Sequence, residues 1–188
     1  RDDVESRGLG DVYKRQHLEI IPGGQTPRVP LHLINNDRTH GEPVRGIMKN
    51  YEFSDESIDF ICRHDMMHTD FTGRLIPRLE EIRKRGVKVF FDLSNAVNHP
   101  DTKYVLSNID CGLVSFEDNL EEGKEFLKYA CSLGTKLMIA TFGKNGSIAY
   151  DGSKFYKGDI VPVENVVNTV GAGAVSYTHL RAHETRRH

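Results

Sequence analysis

From Ser54 to Thr141 the apolar positions alternate between two rhythms: residues three and four apart, and short unbroken runs. Ser54 precedes Asp55 and Glu56, with Ile58 and Cys62 four apart, which predicts a helix capped by Ser54 with acidic residues at its positive end. Asp65 to Thr69 (DMMHT) reads as a short strand. Pro77, Leu79 and Ile82 follow, with Glu80/Lys84 and Glu81/Arg85 four apart and Gly86 behind them, the pattern of a surface helix with a glycine stop. Val87 to Leu93 (VKVFFDL) and Ile109 to Val114 are buried-strand runs. A long helix from about Asp118 to Leu133, stopped by Gly134, leads to the strand Lys136 to Thr141 (KLMIAT). Helices between short apolar strands make βαβ units, whose strands lie parallel with right-handed crossovers. The expected core is α/β.

Two stretches break the alternation. In Arg28 to Arg45, Val29, Leu31 and Leu33 alternate with Pro30, His32 and Ile34 before the turn-prone Asn35, Asn36 and Asp37, which predicts an edge ribbon able to serve as a lid. In Ser147 to Tyr156 (SIAYDGSKFY), Asp151-Gly152 sits between two strand-like runs, a strong hairpin signal. At either end the pattern stops: Arg1 to Gln16 and Val175 to His188 carry neither period. Both resemble translated sequencing-adapter tails, VSYTHLRAHETRR the more specifically. Residues 1–16 and 175–188 are therefore expected to be non-native tails. The plainer readings are a disordered tail or a terminal helix and, for the arginine- and histidine-rich end, a nucleic-acid arm. Residues 17–46 are then a partial β lid and edge, and 47–174 the core of an incomplete fragment.

Composition narrows the class. The chain has 188 residues, 38% of them hydrophobic, and a net charge of −2, which suits one soluble domain and gives no reason to expect nucleic acid. No apolar run approaches the roughly 18 residues of a membrane span, and the amino terminus lacks a signal-peptide segment, so a cytoplasmic location is expected. Cys62, Cys111 and Cys131 are odd in number, widely spaced and set among apolar residues, as buried free thiols are.

The candidate chemistry lies in two glycine segments. Thr141-Phe142-Gly143-Lys144-Asn145-Gly146-Ser147 follows an apolar strand, where glycine lets the backbone turn tightly and approach a ligand. Taken alone it is an ordinary strand-to-hairpin turn. Asn168-Thr169-Val170-Gly171-Ala172-Gly173-Ala174 follows the strand-like Val163 to Val167, and its small residues leave successive N–H groups free to converge on an anion. Its plainer reading is a flexible glycine loop.

In that order and spacing the two segments resemble those of the PfkB, or ribokinase-like, carbohydrate kinases, in which T-x-G-x-x-G lines the ATP site and D-T-x-G-A-G-D closes the active centre. The resemblance implies a ribokinase-like parallel sheet flanked by helices, with a small β lid. It implies ATP and magnesium as cofactors, and Thr141, Gly143, Gly146 and Ser115 at the nucleotide. It further implies an anion hole on the N–H groups of Gly171, Ala172 and Gly173, and a catalytic base on the next residue. That residue is Ala174, which cannot accept a proton. The adapter-like tail starts there, so assembly error is the expected cause. Asn168 stands where aspartate is usual, and Ser115 to Asp118 (SFED) where an N-x-x-E magnesium and phosphate motif is expected. Asp118 would hold a water on the metal, or simply cap a helix.

A closer similarity rests on Asn36-Asp37-Arg38 with Gly41 and Gly46, then Asp65 and His68, then Phe91-Asp92 with Ser94. It is to the fructoselysine 6-kinase branch of that family and runs from about His17 to Gly173. It implies ATP-dependent phosphorylation of a sugar primary hydroxyl, fructoselysine going to its 6-phosphate. The alternatives are another PfkB sugar kinase acting on a ketose or sugar acid, and a non-catalytic nucleotide-binding α/β domain. The partner is then a small-molecule sugar, not nucleic acid or membrane, and a homodimer through the β lid is the candidate assembly. Arg38 is the candidate for a carboxylate or sugar hydroxyl. His68, after a strand, is the candidate for the cleft at the strand's carboxyl end. A surface arginine and a satisfied core histidine are the plainer readings. His64 and His68 flanking Asp65 mimic a metal pair but straddle a helix end, so no metal site is assigned there.

Overall fold

In the computed structural model the Ser54 cap forms: its Oγ accepts the Ser57 N–H at 3.2 Å, and α1 runs Asp55–Ile61 with Asp55 and Glu56 in its first turn. The structure describes residues 20–34 and 37–161, giving the backbone alone for those of 31–40. Contacts divide the chain after Gly158 into two units. Every element named here lies in the first, and only 159–161 of the second are described.

The apolar runs become a six-stranded sheet whose spatial order is its chain order: β3 Met66–Asp70, β4 Lys88–Asp92, β5 Cys111–Ser115, β6 Leu137–Thr141, β7 Ser147–Tyr150 and β8 Phe155–Gly158. β3 to β6 are parallel, as helices inserted between strands require, and β7 and β8 fold back antiparallel. The sheet is thus mixed: the expected parallel core carries the hairpin at one edge. The crossovers are α2 Leu79–Lys84, α3 Thr102–Ser107 and α4 Leu120–Ser132. Val89, Phe91, Met138 and Ala140 on the sheet pack with Ile82, Val105, Leu106 and Leu127 on the helices in one buried cluster.

Three details depart from the sequence pattern. α3 was not expected. Its buried residues Thr102, Val105 and Leu106 have helical spacing, but a single stripe of three is too short to stand out. α4 is capped by Asn119, whose side chain accepts the Glu122 N–H at 3.1 Å while Glu122 accepts from the Asn119 amide, so Asp118 is not the cap. The hairpin closes through four residues, since Tyr150 pairs with Phe155. There Asp151 Oδ1 accepts the N–H groups of Ser153 and Lys154 and the Ser153 hydroxyl, bonds that hold the carboxyl well below the usual carboxylate range.

The ribbon is β1 Leu31–Ile34 paired antiparallel with β2 Asp37–His40, a sheet separate from the main one. Its two legs are held together by reciprocal Arg28–Val44 bonds of 2.9 and 2.8 Å. None of the three cysteines is in a disulfide, and Cys111 is buried. Among the described residues, no helix is long and apolar enough to cross a membrane.

Candidate active site

Parallel strands end on one side of their sheet, so β3 to β6 deliver Asp70, Asp92, Ser115 and Thr141 to a common edge. Such an edge is where open α/β sheets bind ligands. Asp70 stands in register with Asp92, and Ser115 with Thr141. Each aspartate is locked by the loop it begins. Asp70 Oδ1 accepts the N–H and hydroxyl of Thr72, both at 2.6 Å, and Asp92 Oδ1 accepts the Ser94 N–H at 2.7 Å. Ser94 has a φ of 51°, left-handed for a residue with a Cβ, and its carbonyl accepts the Ser115 N–H at 2.7 Å.

The loops after β5 and β6 are joined. The Ser115 and Thr141 hydroxyls share a hydrogen bond of 3.1 Å, and the Thr141 carbonyl accepts the Phe116 N–H at 2.9 Å. The Asn145 amide donates to Asp118 Oδ1 at 2.6 Å, and the Phe116 ring stacks on Phe142 with centroids 5.9 Å apart. The two segments singled out from sequence, SFED and TFGKNGS, therefore form one surface. Gly143 opens a 3₁₀ turn through Asn145 with a φ of 50°, and beyond its two chain neighbours no described atom lies within 4 Å of where its Cβ would stand. A ligand can reach that backbone.

The other expected site residues separate from this surface or fall outside the description. His68 is in the middle of β3, opposite Phe90, not beyond a strand, so it lies two residues short of the carboxyl edge. His64 Nδ1 lies 3.0 Å from the Phe60 carbonyl. Among the described residues, no three histidines, cysteines or carboxylates gather as a metal site. Arg38 is in β2, its side chain undescribed, and Gly171, Ala172, Gly173 and Ala174 lie outside the described residues, as do both tails. Sequence reasoning missed Asn145 and Asp70. The first stood inside the glycine turn, where only the glycines drew notice. The second closes a strand one residue past its expected end. A cavity of about 350 Å³, lined by Val97, Pro100, Lys103, Phe116, Phe126 and Tyr129 among others, includes none of the expected site residues.

No family model matches the chain. It is 28% identical over 150 residues to fructoselysine 6-kinase of Escherichia coli (strain K12), an alignment covering 80% of this chain and 57% of that protein. It is 30% identical over 122 residues to fructosamine kinase FrlD of Bacillus subtilis (strain 168), covering 64% and 42%. Among solved structures it resembles Arabidopsis thaliana ribokinase complexed with ribose and ATP, with a TM-score of 0.67 at 21% identity over 80% of this chain and 54% of that one. The fold is ribokinase-like α/β. The sequence relatives are named as kinases of fructoselysine and fructosamine, and the likeness to the solved structure is one of fold. The chain spans about half the length of the curated relatives it matches.

Proposed function

We propose that the chain carries part of an ATP-dependent sugar kinase whose acceptor is a fructosamine, most specifically fructoselysine, phosphorylated at its 6-hydroxyl. The observation that supports it most is the joined surface at the carboxyl ends of β5 and β6, where Ser115–Thr141 and Asp118–Asn145 bonds hold an open glycine turn. The names of the sequence relatives support the choice of sugar.

In this reading the Gly143 to Gly146 turn offers backbone to the nucleotide. The donors present suit it: Gly143 is unobstructed, and Thr141 and Ser115 present hydroxyls beside it. ATP supplies the γ-phosphoryl group, and magnesium, when bound, would neutralise charge on the phosphates. Magnesium is usually held by one or two carboxylates with phosphate and water, and a single exposed carboxylate at Asp118, one oxygen taken by Asn145, fits such an outer contact. The acceptor oxygen forms its bond to the γ-phosphorus as the bridging bond to ADP breaks, and the hydroxyl proton must leave to a base. The N–H groups of Gly171, Ala172 and Gly173 would stabilise the charge that develops. At position 174 alanine supplies no proton acceptor.

That alanine favours one rival, a nucleotide-binding domain without catalysis. The native codon at position 174 separates them: aspartate supports the kinase and a genuine alanine the rival. The experiment for the substrate is a panel of fructoselysine, other glycated amino acids, ketoses and sugar acids, offered with ATP and magnesium to a version extended to the relatives' length with aspartate at 174. ADP release on fructoselysine alone or first is expected. Turnover confined to ketoses or sugar acids overturns the acceptor, and none on any sugar overturns the kinase.

A further inference from the structure

Arg74 combines two unfavourable features. Its φ is 59°, in the left-handed region that a Cβ disfavours, and its Nε is buried with no hydrogen-bond partner. Neither helps the loop it sits in, which is already fixed: Asp70 Oδ1 holds the Thr72 N–H, and the Gly73 N–H donates to the Asp70 carbonyl at 3.2 Å. What Arg74 does make is a hydrogen bond from Nη2 to the Lys49 carbonyl, 25 residues away.

Lys49 ends the 3₁₀ turn Gly46–Lys49, through which the chain leaves the ribbon. That turn belongs to the ribbon's stem. The Ile47 N–H donates to the Gln25 carbonyl at 2.9 Å, the Gly41 N–H to the Pro30 carbonyl at 2.8 Å, and the Arg28–Val44 pair lies between them. Arg74 therefore ties the base of the stem to the loop that begins at Asp70, at the carboxyl edge where the candidate site lies. A guanidinium suits this because it is always charged and its donors are rigidly placed, so a carbonyl bonded to it is held in direction as well as distance.

We propose that Arg74 is a positioning residue that anchors the ribbon's stem to the carboxyl end of β3 and so sets how the ribbon meets the acceptor. The second half rests on the kinase reading above; the anchor does not. Strained residues persist where surrounding structure holds them for a purpose, and the inference runs here from the outlier to the role.

The test uses the chain itself and three variants, R74M, R74K and R74G, followed by amide hydrogen exchange. R74M should speed exchange at Ile47 and Met48 by about tenfold, the ordinary effect of losing one charge-assisted bond, while Val89 and Leu113 keep their protection. R74K should restore part of it. R74G is the discriminating variant, because it relieves the left-handed backbone while deleting the anchor: its melting temperature should hold or rise while the stem still opens. Wild-type protection of the stem in both R74M and R74G overturns the anchor. In the extended, aspartate-bearing enzyme, R74M should raise the KM for the acceptor and leave that for ATP unchanged; an open stem with an unchanged acceptor KM overturns the positioning role. Failure of the parent enzyme to phosphorylate any sugar would instead count against the kinase reading.

Discussion

Gly146 has a φ of 86° and a ψ of −145°, a conformation essentially restricted to glycine, and its carbonyl accepts the Phe142 N–H at 2.9 Å to close the turn beneath Gly143. Valine there should cost on the order of 1–3 kcal/mol and lower the melting temperature by several degrees. In the extended enzyme it should raise the KM for ATP more than that for sugar. An effect confined to the sugar contradicts the nucleotide role. A second residue-scale test lies at the opposite end of the sheet, where Asp110 accepts from Lys136 Nζ at 2.7 Å and from the Val89 N–H at 3.0 Å. Burial pushes this carboxyl up, but the Lys136 bond and the Val89 N–H outweigh it and leave it below its usual value. A depressed folded value means that its stabilisation is complete above the unfolded value, near 3.9, and is lost as pH falls through the folded one. Asp110→Asn should therefore cost about 1 kcal/mol at neutral pH, modest because Lys136 is 72% exposed, with the gap closing in acid. Urea melts of both forms at pH 7 and pH 3 measure this, and a gap that widens in acid would reverse the sign. At this scale Gly143 and Gly146 were conspicuous as glycines following an apolar strand, whereas Asp118 in the loop after β5 was picked out only through the resemblance, and the strand-end Asp70 was not. Which amide would meet Asp118 depended on how a turn of three residues packs, and no spacing encodes that.

Gly123 shows how an element positions the site. It lies in α4, where a glycine is poor for a helix by about 1 kcal/mol relative to alanine. A Cβ there would stand 2.5 Å from Cζ of Phe142, whose ring is buried against Phe116 next to the Thr141 turn. Overpacking of that kind typically costs about 1–3 kcal/mol, enough to outweigh the gain in propensity. Gly123→Ala should therefore lower the melting temperature and displace the turn, and a higher melting temperature would show that the ring gives way freely. Elements were legible in proportion to their period. Long α4 and the runs of β4, β5 and β6 were found within a residue or two, while six-residue α3 was not. The hairpin was found but its turn was not, because Asp-Gly permits a tight two-residue loop. Asp151 Oδ1 instead gathers three donors into a wider one.

In the proposed reading the decisive position for the whole molecule is 174, outside the described residues. The carboxyl edge of the sheet brings together an open turn, two hydroxyls and a hydrogen-bonded carboxylate, parts that can hold and orient a nucleotide. None of these described groups is placed as a base for a sugar hydroxyl in the proposed reading; that role falls to position 174, where alanine stands. General-base catalysis contributes about a hundred- to ten-thousand-fold. With the chain extended to the length of its relatives, Ala174→Asp should raise turnover of fructoselysine by at least the lower figure while leaving ATP affinity nearly unchanged, because the substitution adds a proton acceptor and removes no nucleotide contact. Side-by-side turnover and ATP-binding measurements on the two forms decide it. Equal turnover would remove position 174 as the base. A large change in ATP affinity would mean that the carboxylate acts on binding, and the separation of roles between the strand-end surface and the glycine segment would then fail.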